Sequence, residues 1–223
     1  MPVSLSKRLA VIAGMCDGAK RVIDVGCDHG KLVAALLQRD PKLTAIAADI
    51  SPLSLGKASA LVASLGLDDR CRCVCCDGLQ GIDLLPGDCV VISGIGPDII
   101  SDIIERSLDR FPGDIRLVLS PASHHEKLRI YLAGRGFRPE KEYAVYEDGH
   151  FYAPGSYVRS ENPTVLSPGA SAAGIISPDY TDGRNYLETV LERYTRIASA
   201  ASDPAKKQNA EEIKTYVNNL LLS

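Results

Sequence analysis

The chain has 223 residues and a formal net charge of −3, and its basic and acidic residues nearly balance both before and after residue 159. That balance excludes a polyanion-binding role driven by overall charge, so any contact with nucleic acid has to come from a local patch. The apolar and charged fractions, 45% and 24%, are those of an ordinary globular protein. The length exceeds the ~100–200 residues of one typical domain and points to one domain plus an appendage.

No apolar run approaches the ~20 residues needed to cross a membrane. The opening stretch, MPVSLSKRLAVIAGMCDG, has two basic residues and a short apolar run that Asp17-Gly18 ends. It reads as a helix leading into the domain rather than as a signal peptide, and the cytoplasm is the expected compartment.

From residue 21 the pattern alternates. Strands are predicted at 21–25, 43–49, 71–76, 88–93, 115–120, 138–147 and 150–158, and helices at 30–39, 52–65, 97–110 and 123–135. In the second helix Leu53, Ala60, Leu61 and Leu65 fall at helical spacing. Alternating strands and helices predict an α/β fold, a parallel sheet covered on both faces. Asp148-Gly149 is a strong hairpin signal between the last two strands, so the sheet is expected to end in an antiparallel pair.

Residues 160–183 shift to Pro, Ser, Ala and Gly and read as a linker. Residues 184–223 then carry two amphipathic helices. Leu187, Val190, Leu191, Tyr194, Ile197, Ala198 and Ala201 form one stripe; Ile213, Tyr216, Val217, Leu220 and Leu221 form the other. Asp203-Pro204 between them reads as an N-cap followed by proline at the first helical position. An antiparallel helical hairpin is expected.

Four of the seven cysteines sit in Cys71-Arg72-Cys73-Val74-Cys75-Cys76. Cys73 and Cys76 make a C-x-x-C, but a zinc site needs a second ligand pair, and none has suitable spacing. In a strand, residues 73 and 76 also point to opposite faces. These are expected to be buried strand thiols, with no metal.

The informative stretch is VIDVGCDHGKL at 22–32: an apolar strand, a glycine-bounded turn and a helix start. Three ligands compete for the turn. A phosphate loop needs G-x-x-x-x-G-K-[ST]; here the spacing is one residue short and Leu32 replaces the hydroxyl. A dinucleotide turn needs G-x-G-x-x-G; here Asp28 stands in place of the second glycine and would repel a pyrophosphate. S-adenosylmethionine carries an ammonium and a sulfonium, so Asp24-x-Gly26-x-Asp28-x-Gly30 suits it, with glycine allowing close backbone approach. The next loops agree. Asp49-Ile50 ends the second strand, about twenty residues on, where an acid can accept from ribose hydroxyls. Asp77-Gly78 ends the third, where an acid can meet an adenine amino group. Gly94-Ile95-Gly96 follows the fourth, a small-residue loop that a methyl acceptor can approach.

With these residues in view, the chain resembles class I S-adenosylmethionine-dependent methyltransferases, and more narrowly the bacterial tRNA (adenine(22)-N1)-methyltransferase family. Leu5-Ser6-Lys7-Arg8-Leu9 resembles that family's first helix. VIDVGCDHGKL resembles its first motif, Cys76-Asp77-Gly78-Leu79 and Gly94-Ile95-Gly96 its third and fourth, and Glu147-Asp148-Gly149-His150-Phe151-Tyr152 its terminal hairpin. In two places the chain departs from the family. Gly94-Ile95-Gly96-Pro97 stands where the family usually reads Gly-Met-Gly-Gly, and Ser120-Pro121-Ala122 where it tends to read Gln-Pro-Asn.

The resemblance implies a Rossmann-like seven-stranded methyltransferase domain over 1–159, with a coiled-coil-like tail. It implies S-adenosylmethionine held by Asp24, Gly26, Cys27, Asp28, His29, Gly30, Asp49, Ile50, Asp77, Gly78 and Gly94. It implies a tRNA adenine meeting Asp28, His29, Gly94, Ile95 and Gly96, with Lys7 and Arg8 on RNA phosphate. A small-molecule methyltransferase of the same fold and a non-catalytic cofactor- or RNA-binding relative are the alternatives.

Overall fold

The computed structural model describes residues 2–160 and 162–222. Met1, Glu161 and Ser223, which belong to the expected segments 1–159, 160–183 and 184–223, lie outside the described residues.

The chain opens with α1 (Lys7–Met15), whose Ser6 hydroxyl accepts from the Leu9 amide at 3.4 Å as an N-cap. Then follow β1 (Arg21–Val25), α2 (Lys31–Arg39), β2 (Thr44–Asp49), α3 (Pro52–Ser64), β3 (Cys71–Cys75), β4 (Asp88–Ser93), α4 (Pro97–Glu105), β5 (Arg116–Ser120) and α5 (His125–Gly134). β6 (Phe137–Glu142), β7 (Val145–Glu147), β8 (His150–Tyr152) and β9 (Gly155–Arg159) complete the strands. The main sheet has the order β3-β2-β1-β4-β5-β9-β6. Its first five strands are parallel, and β9 runs antiparallel to both β5 and β6.

Alternation along the buried strands divides the interior in two. Val22, Ala45, Ala47, Cys89 and Val91 face α1, α2 and α3. Ile23, Val25, Ile46, Val90 and Ile92 face α4 and α5. The order reverses direction at β1 and β4, and a doubly wound sheet opens its ligand crevice at such a switch point, outside the strands' carboxyl ends.

The antiparallel end of the sheet is built differently from the expectation. Asp148-Gly149 does make a tight hairpin, with both residues at positive φ, 53° and 85°. It joins β7 to β8, however, and these form a separate two-stranded ribbon. The predicted strands 138–147 and 150–158 each break in the middle. Pro154 has no N–H to give a continuing ladder, and its carbonyl accepts from the Tyr143 amide at 3.0 Å. Ala144 and Ala153 then turn into a third core. The sheet's terminal pair is β6 with β9. Pro139 is accommodated in β6 because that strand is an edge and bulges there.

The cysteine strand also needs correction. Cys71 and Cys73 pack toward one core and Cys76 toward the other, as alternation requires. Yet β3 is the opposite edge, so Cys71, Cys73 and Cys76 are only half-buried and Cys75 is exposed. Among the described residues no group of three or more His, Cys, Asp or Glu is placed to hold a metal, and no helix is long and apolar enough to cross a membrane.

The segment 160–183 holds a short helix, α6 (Pro168–Ala173), and the tail is a pair, α7 (Thr181–Ala200) and α8 (Pro204–Leu222). Asp203 accepts from the Ala205 amide at 3.0 Å at the start of α8. Leu187, Ile213 and Val217, at 0–2% exposure, form the third core with α6 and the β7–β8 ribbon. Gly169 lets α8 approach: a Cβ there would lie 2.4 Å from Tyr216. The tail is therefore packed onto the sheet domain rather than tethered to it.

A buried ion pair fastens this junction. Arg129 of α5 donates to Glu142 of β6 at 2.8 Å, and both residues are about 5% exposed. Tyr157 donates to the same carboxylate at 2.7 Å. Arg129 also donates to the Ser171 and Ala172 carbonyls, each at 3.0 Å, and Glu142 accepts from the Ile175 amide at 2.8 Å.

Candidate active site

The turn after β1 is fixed by its own backbone. The Gly26 and Cys27 amides both donate to the Ala48 carbonyl of β2, at 2.8 and 3.0 Å. Gly26, Asp28 and Gly30 lie in the left-handed region, at φ 74°, 48° and 69°. The Asp28 conformation is one that residues with a Cβ rarely adopt, so the turn holds strain. Gly30 is required on a second count: a Cβ there would lie 2.8 Å from the Ala58 Cβ of α3.

Asp49, at the end of β2, ties two loops together. Its Oδ2 accepts from the Asp28 amide at 3.1 Å and its Oδ1 from the Ser51 amide at 2.8 Å. Asp28 in turn meets His29 Nδ1 at 2.5 Å, with both side chains largely exposed. Asp24 lies beneath them and is buried. Burial, reinforced by the Asp49 charge, pushes its carboxyl up to about 7. Ile50 beside Asp49 is 69% exposed, an apolar side chain at a strand end with no core to enter.

A cavity of about 430 Å³ opens over this turn. Asp24, Gly26, Cys27, Asp28 and His29 line one side, and Gly94 and Ile95 the other, with Ser93, Leu9, Lys31 and Leu32 at its edges. Arg8 completes the wall. The structure thus gathers seven of the sequence-predicted residues together with Arg8. Gly30, Asp49, Ile50 and Gly96 sit directly behind or beside the lining. Asp77 and Gly78 are not part of the wall, and the Asp77 carboxylate is gripped at 2.8 and 3.1 Å by Arg106, whose hydrogen bonds hold it below the usual carboxylate range. Lys7 is exposed to solvent and takes no part in the lining.

Arg8 differs from the expectation of a residue turned toward RNA phosphate. Its guanidinium lies over the Tyr152 ring at 4.7 Å and about 3.8 Å from a Cβ position on Gly94. Its Nε and Nη1 are buried without a hydrogen-bond partner. Glu147 accepts from its backbone amide at 2.8 Å. Sequence reasoning missed the parts of Glu147 and Tyr152 here. Both lie in the hairpin motif, but only the ribbon's separation from the main sheet brings them against α1.

The acceptor-side loops that depart from the family pattern are joined to each other. The Gly94 amide donates to the Ser120 carbonyl at 2.9 Å, and the Ala122 amide to the Ile95 carbonyl at 2.9 Å. Gly96-Pro97 starts α4, with proline at a helix position where its missing N–H costs nothing.

The comparisons with known proteins follow this geometry. A family model for a methyltransferase domain matches residues 5–153. The chain belongs to this methyltransferase family, whose matched span takes in α1, the whole parallel sheet and the β7–β8 ribbon. Over 221 residues the chain is 25% identical to the tRNA (adenine(22)-N(1))-methyltransferase of Bacillus subtilis strain 168, covering 95% of this chain and 93% of that one. The crystal structure of the B. subtilis tRNA methyltransferase TrmK superposes with a TM-score of 0.77 at 23% identity, covering 98% and 99% of the two chains. The M. capricolum TrmK structure, in complex with S-adenosyl-homocysteine, gives 0.77 at 21% identity, covering 97% of each. Both likenesses show a shared fold that includes the helical tail.

The cavity residues fit S-adenosylmethionine. Two unpartnered buried nitrogens of Arg8 suit a carboxylate, and the buried Asp24 suits an ammonium. An amino-acid moiety carries both charges.

Proposed function

We propose that the protein transfers the methyl group of S-adenosylmethionine to N1 of an adenine in tRNA, at position 22 by its likeness to the B. subtilis enzyme. The observation that carries this reading is the length of that match: it runs through the sheet domain and the tail alike.

The bound cofactor supplies an electrophilic methyl on a sulfonium. N1 of neutral adenine has an in-plane lone pair, so no base is needed to create the nucleophile. This chain's own work is then positional. Asp24 and Arg8 hold the amino-acid end, Asp49 the ribose, and Ile50 lies against the adenine ring, with Asp77 at its amino edge. Gly26 and Gly94 leave room at the sulfonium. The target base enters between Ile95 and His29, swung out of the RNA stack. His29, held by Asp28, meets its edge. Arg8 serves the cofactor rather than RNA phosphate, and Lys7 is left for the RNA.

The test is incubation with labelled S-adenosylmethionine and unmodified tRNA transcripts, followed by nucleoside analysis. The expected product is N1-methyladenosine, lost when the target adenine is replaced. Tight cofactor binding without a methylated transcript would overturn the tRNA reading.

A further inference from the structure

A second cavity, of about 440 Å³, lies on the other side of the β7–β8 ribbon from the cofactor site. The ribbon divides the two. Glu147 and Tyr152 hold Arg8 on the cofactor side, while Tyr146 and Phe151 face the second cavity. Its remaining walls are the start of α5 and the outer face of α7, where Tyr186 and Tyr194 contribute two more rings. Tyr146 and Phe151 are 4.9 Å apart, and Phe151 and Tyr186 meet edge to face at 6.0 Å. Tyr146 is 47% exposed despite its apolar body. The volume falls within the range of small-ligand pockets.

One polar group inside has no partner. His125 lines the cavity, and its Nε2 is buried without a hydrogen bond. Burial and the neighbouring Arg129 push the imidazole down to about 4, so it is neutral near pH 7. A neutral ring nitrogen suits the edge of a base better than a phosphate.

At its mouth the cavity runs into a shallow groove along α7, the two sharing Arg193. The groove carries Arg193, Arg196 and Lys206, and among the described residues lining it none is acidic. Arg193 is shared with Glu126 at 3.3 Å and lies 5.3 Å from the Tyr194 ring centre. Among the described residues Arg196 and Lys206 have no ion pair. An overall acidic chain thus presents a run of cations beside a cluster of rings, with an unpartnered nitrogen at the bottom.

Stacking surfaces followed by cations are what a single-stranded nucleic acid needs, base and backbone in turn. We propose that this cleft is a nucleotide subsite for the RNA substrate, separate from the target-base pocket. In it an unpaired base stacks against Tyr146 and is read by His125, while the adjoining phosphates follow Arg193, Arg196 and Lys206. The subsite is coupled to the reaction centre because Ala122, in its wall, bonds Ile95 in the cofactor cavity. This inference rests on RNA as the substrate.

The test is titration of a labelled unmodified tRNA transcript by fluorescence anisotropy over a series of salt concentrations, with cofactor affinity measured by calorimetry on the same samples. Tyr146→Ala is expected to weaken RNA binding roughly 10-fold at every salt concentration. Tyr146→Phe, which keeps the ring, is expected to bind as wild type does. Arg196→Gln with Lys206→Gln is expected to flatten the salt dependence by about 0.7 per cation removed. Cofactor affinity should stay unchanged in all three. If wild type binds and methylates the transcript and the variants bind it equally well, the subsite is overturned while the RNA reading stands. If Tyr146→Phe loses as much as Tyr146→Ala, stacking is overturned. If wild type neither binds nor methylates the transcript, both readings fall together.

Discussion

The amide of Asp28 donates to the carboxylate of Asp49 at 3.1 Å, so the turn after β1 and the end of β2 are one unit. Asp28 has a positive φ of 48°, and this bond helps to hold it there. The acid proposed to bind ribose therefore also shapes the loop proposed to bind the amino-acid end. Asp49→Ala should lower cofactor affinity by well over one charged hydrogen bond's worth, roughly 100-fold or more. Asp49→Asn, which retains an acceptor for the Asp28 amide, should lose less. Calorimetry with S-adenosyl-homocysteine checks both, and equal losses would refute the shaping role.

Arg8 should matter to the cofactor before it matters to RNA. Its free nitrogens face the cavity that holds Asp24 and Gly94. Arg8→Ala is expected to raise the cofactor dissociation constant about 10-fold or more, the range of a lost hydrogen bond between charged groups. Arg8→Lys should recover little, because a lysine cannot present a planar fork. A variant with normal cofactor affinity and weakened tRNA binding would instead return Arg8 to the RNA surface.

What the sequence revealed, and what it hid, follows from the range of the forces involved. The strand–turn–helix at 21–39 was readable because local glycines and a run of buried apolar residues specify it. The order of acids at the ends of β1, β2 and β3 was readable because each follows its own strand. The break at Pro154 was overlooked because Asp148-Gly149 dominates its neighbourhood, while the third core that pulls Ala144 and Ala153 away is assembled from residues beyond 170. Arg8 was assigned to phosphate because nothing local says that the ribbon's Tyr152 will lie against it. The same holds for the thiols of β3, whose exposure depends on sheet order rather than on their own pattern.

Asp24 should make cofactor binding pH-dependent. Its carboxyl is pushed from the ordinary value of 3.8 up to about 7 in the folded chain. Between these values the folded chain keeps a proton that the unfolded chain has lost, so without ligand stability should fall as pH rises through that window. An ammonium beside Asp24 favours the carboxylate, so binding below pH 7 must release the proton. Affinity should therefore climb from pH 5 to about 7 and then level off. Asp24→Asn should bind more weakly and without that slope. Calorimetry in buffers of different ionisation enthalpy reads the proton directly, and a flat wild-type profile would exclude Asp24 as the ammonium's partner.

Gly30 should tolerate no side chain. Gly30→Ala faces both a positive φ of 69° and a Cβ 2.8 Å from Ala58. The backbone term alone costs about 1–2 kcal/mol, and the clash adds to it. Ala58→Gly in the same chain removes the clash and leaves the strain. The pair should accordingly recover part of the lost stability and cofactor affinity, measured by denaturant titration and calorimetry. Full recovery would mean that the left-handed conformation carries no cost.

The buried pair Arg129–Glu142 should be where the tail and the sheet domain are most easily uncoupled. Each partner satisfies several groups: Glu142 accepts from Arg129, Tyr157 and the Ile175 amide, and Arg129 reaches two carbonyls at the end of α6. Removing one charge strands the other in a site that water does not reach. Arg129→Met is therefore expected to destabilise the fold by about 3–5 kcal/mol. Replacing both, Arg129→Met with Glu142→Leu, avoids the stranded charge and should cost clearly less than the single change, although the α6 carbonyls and the Tyr157 hydroxyl lose their partners. Urea unfolding followed by two signals, one from the sheet domain and one from α7–α8, separates the outcomes. If the two signals stay coincident in Arg129→Met with the midpoint unmoved, the junction is held by the apolar third core and not by this ion pair.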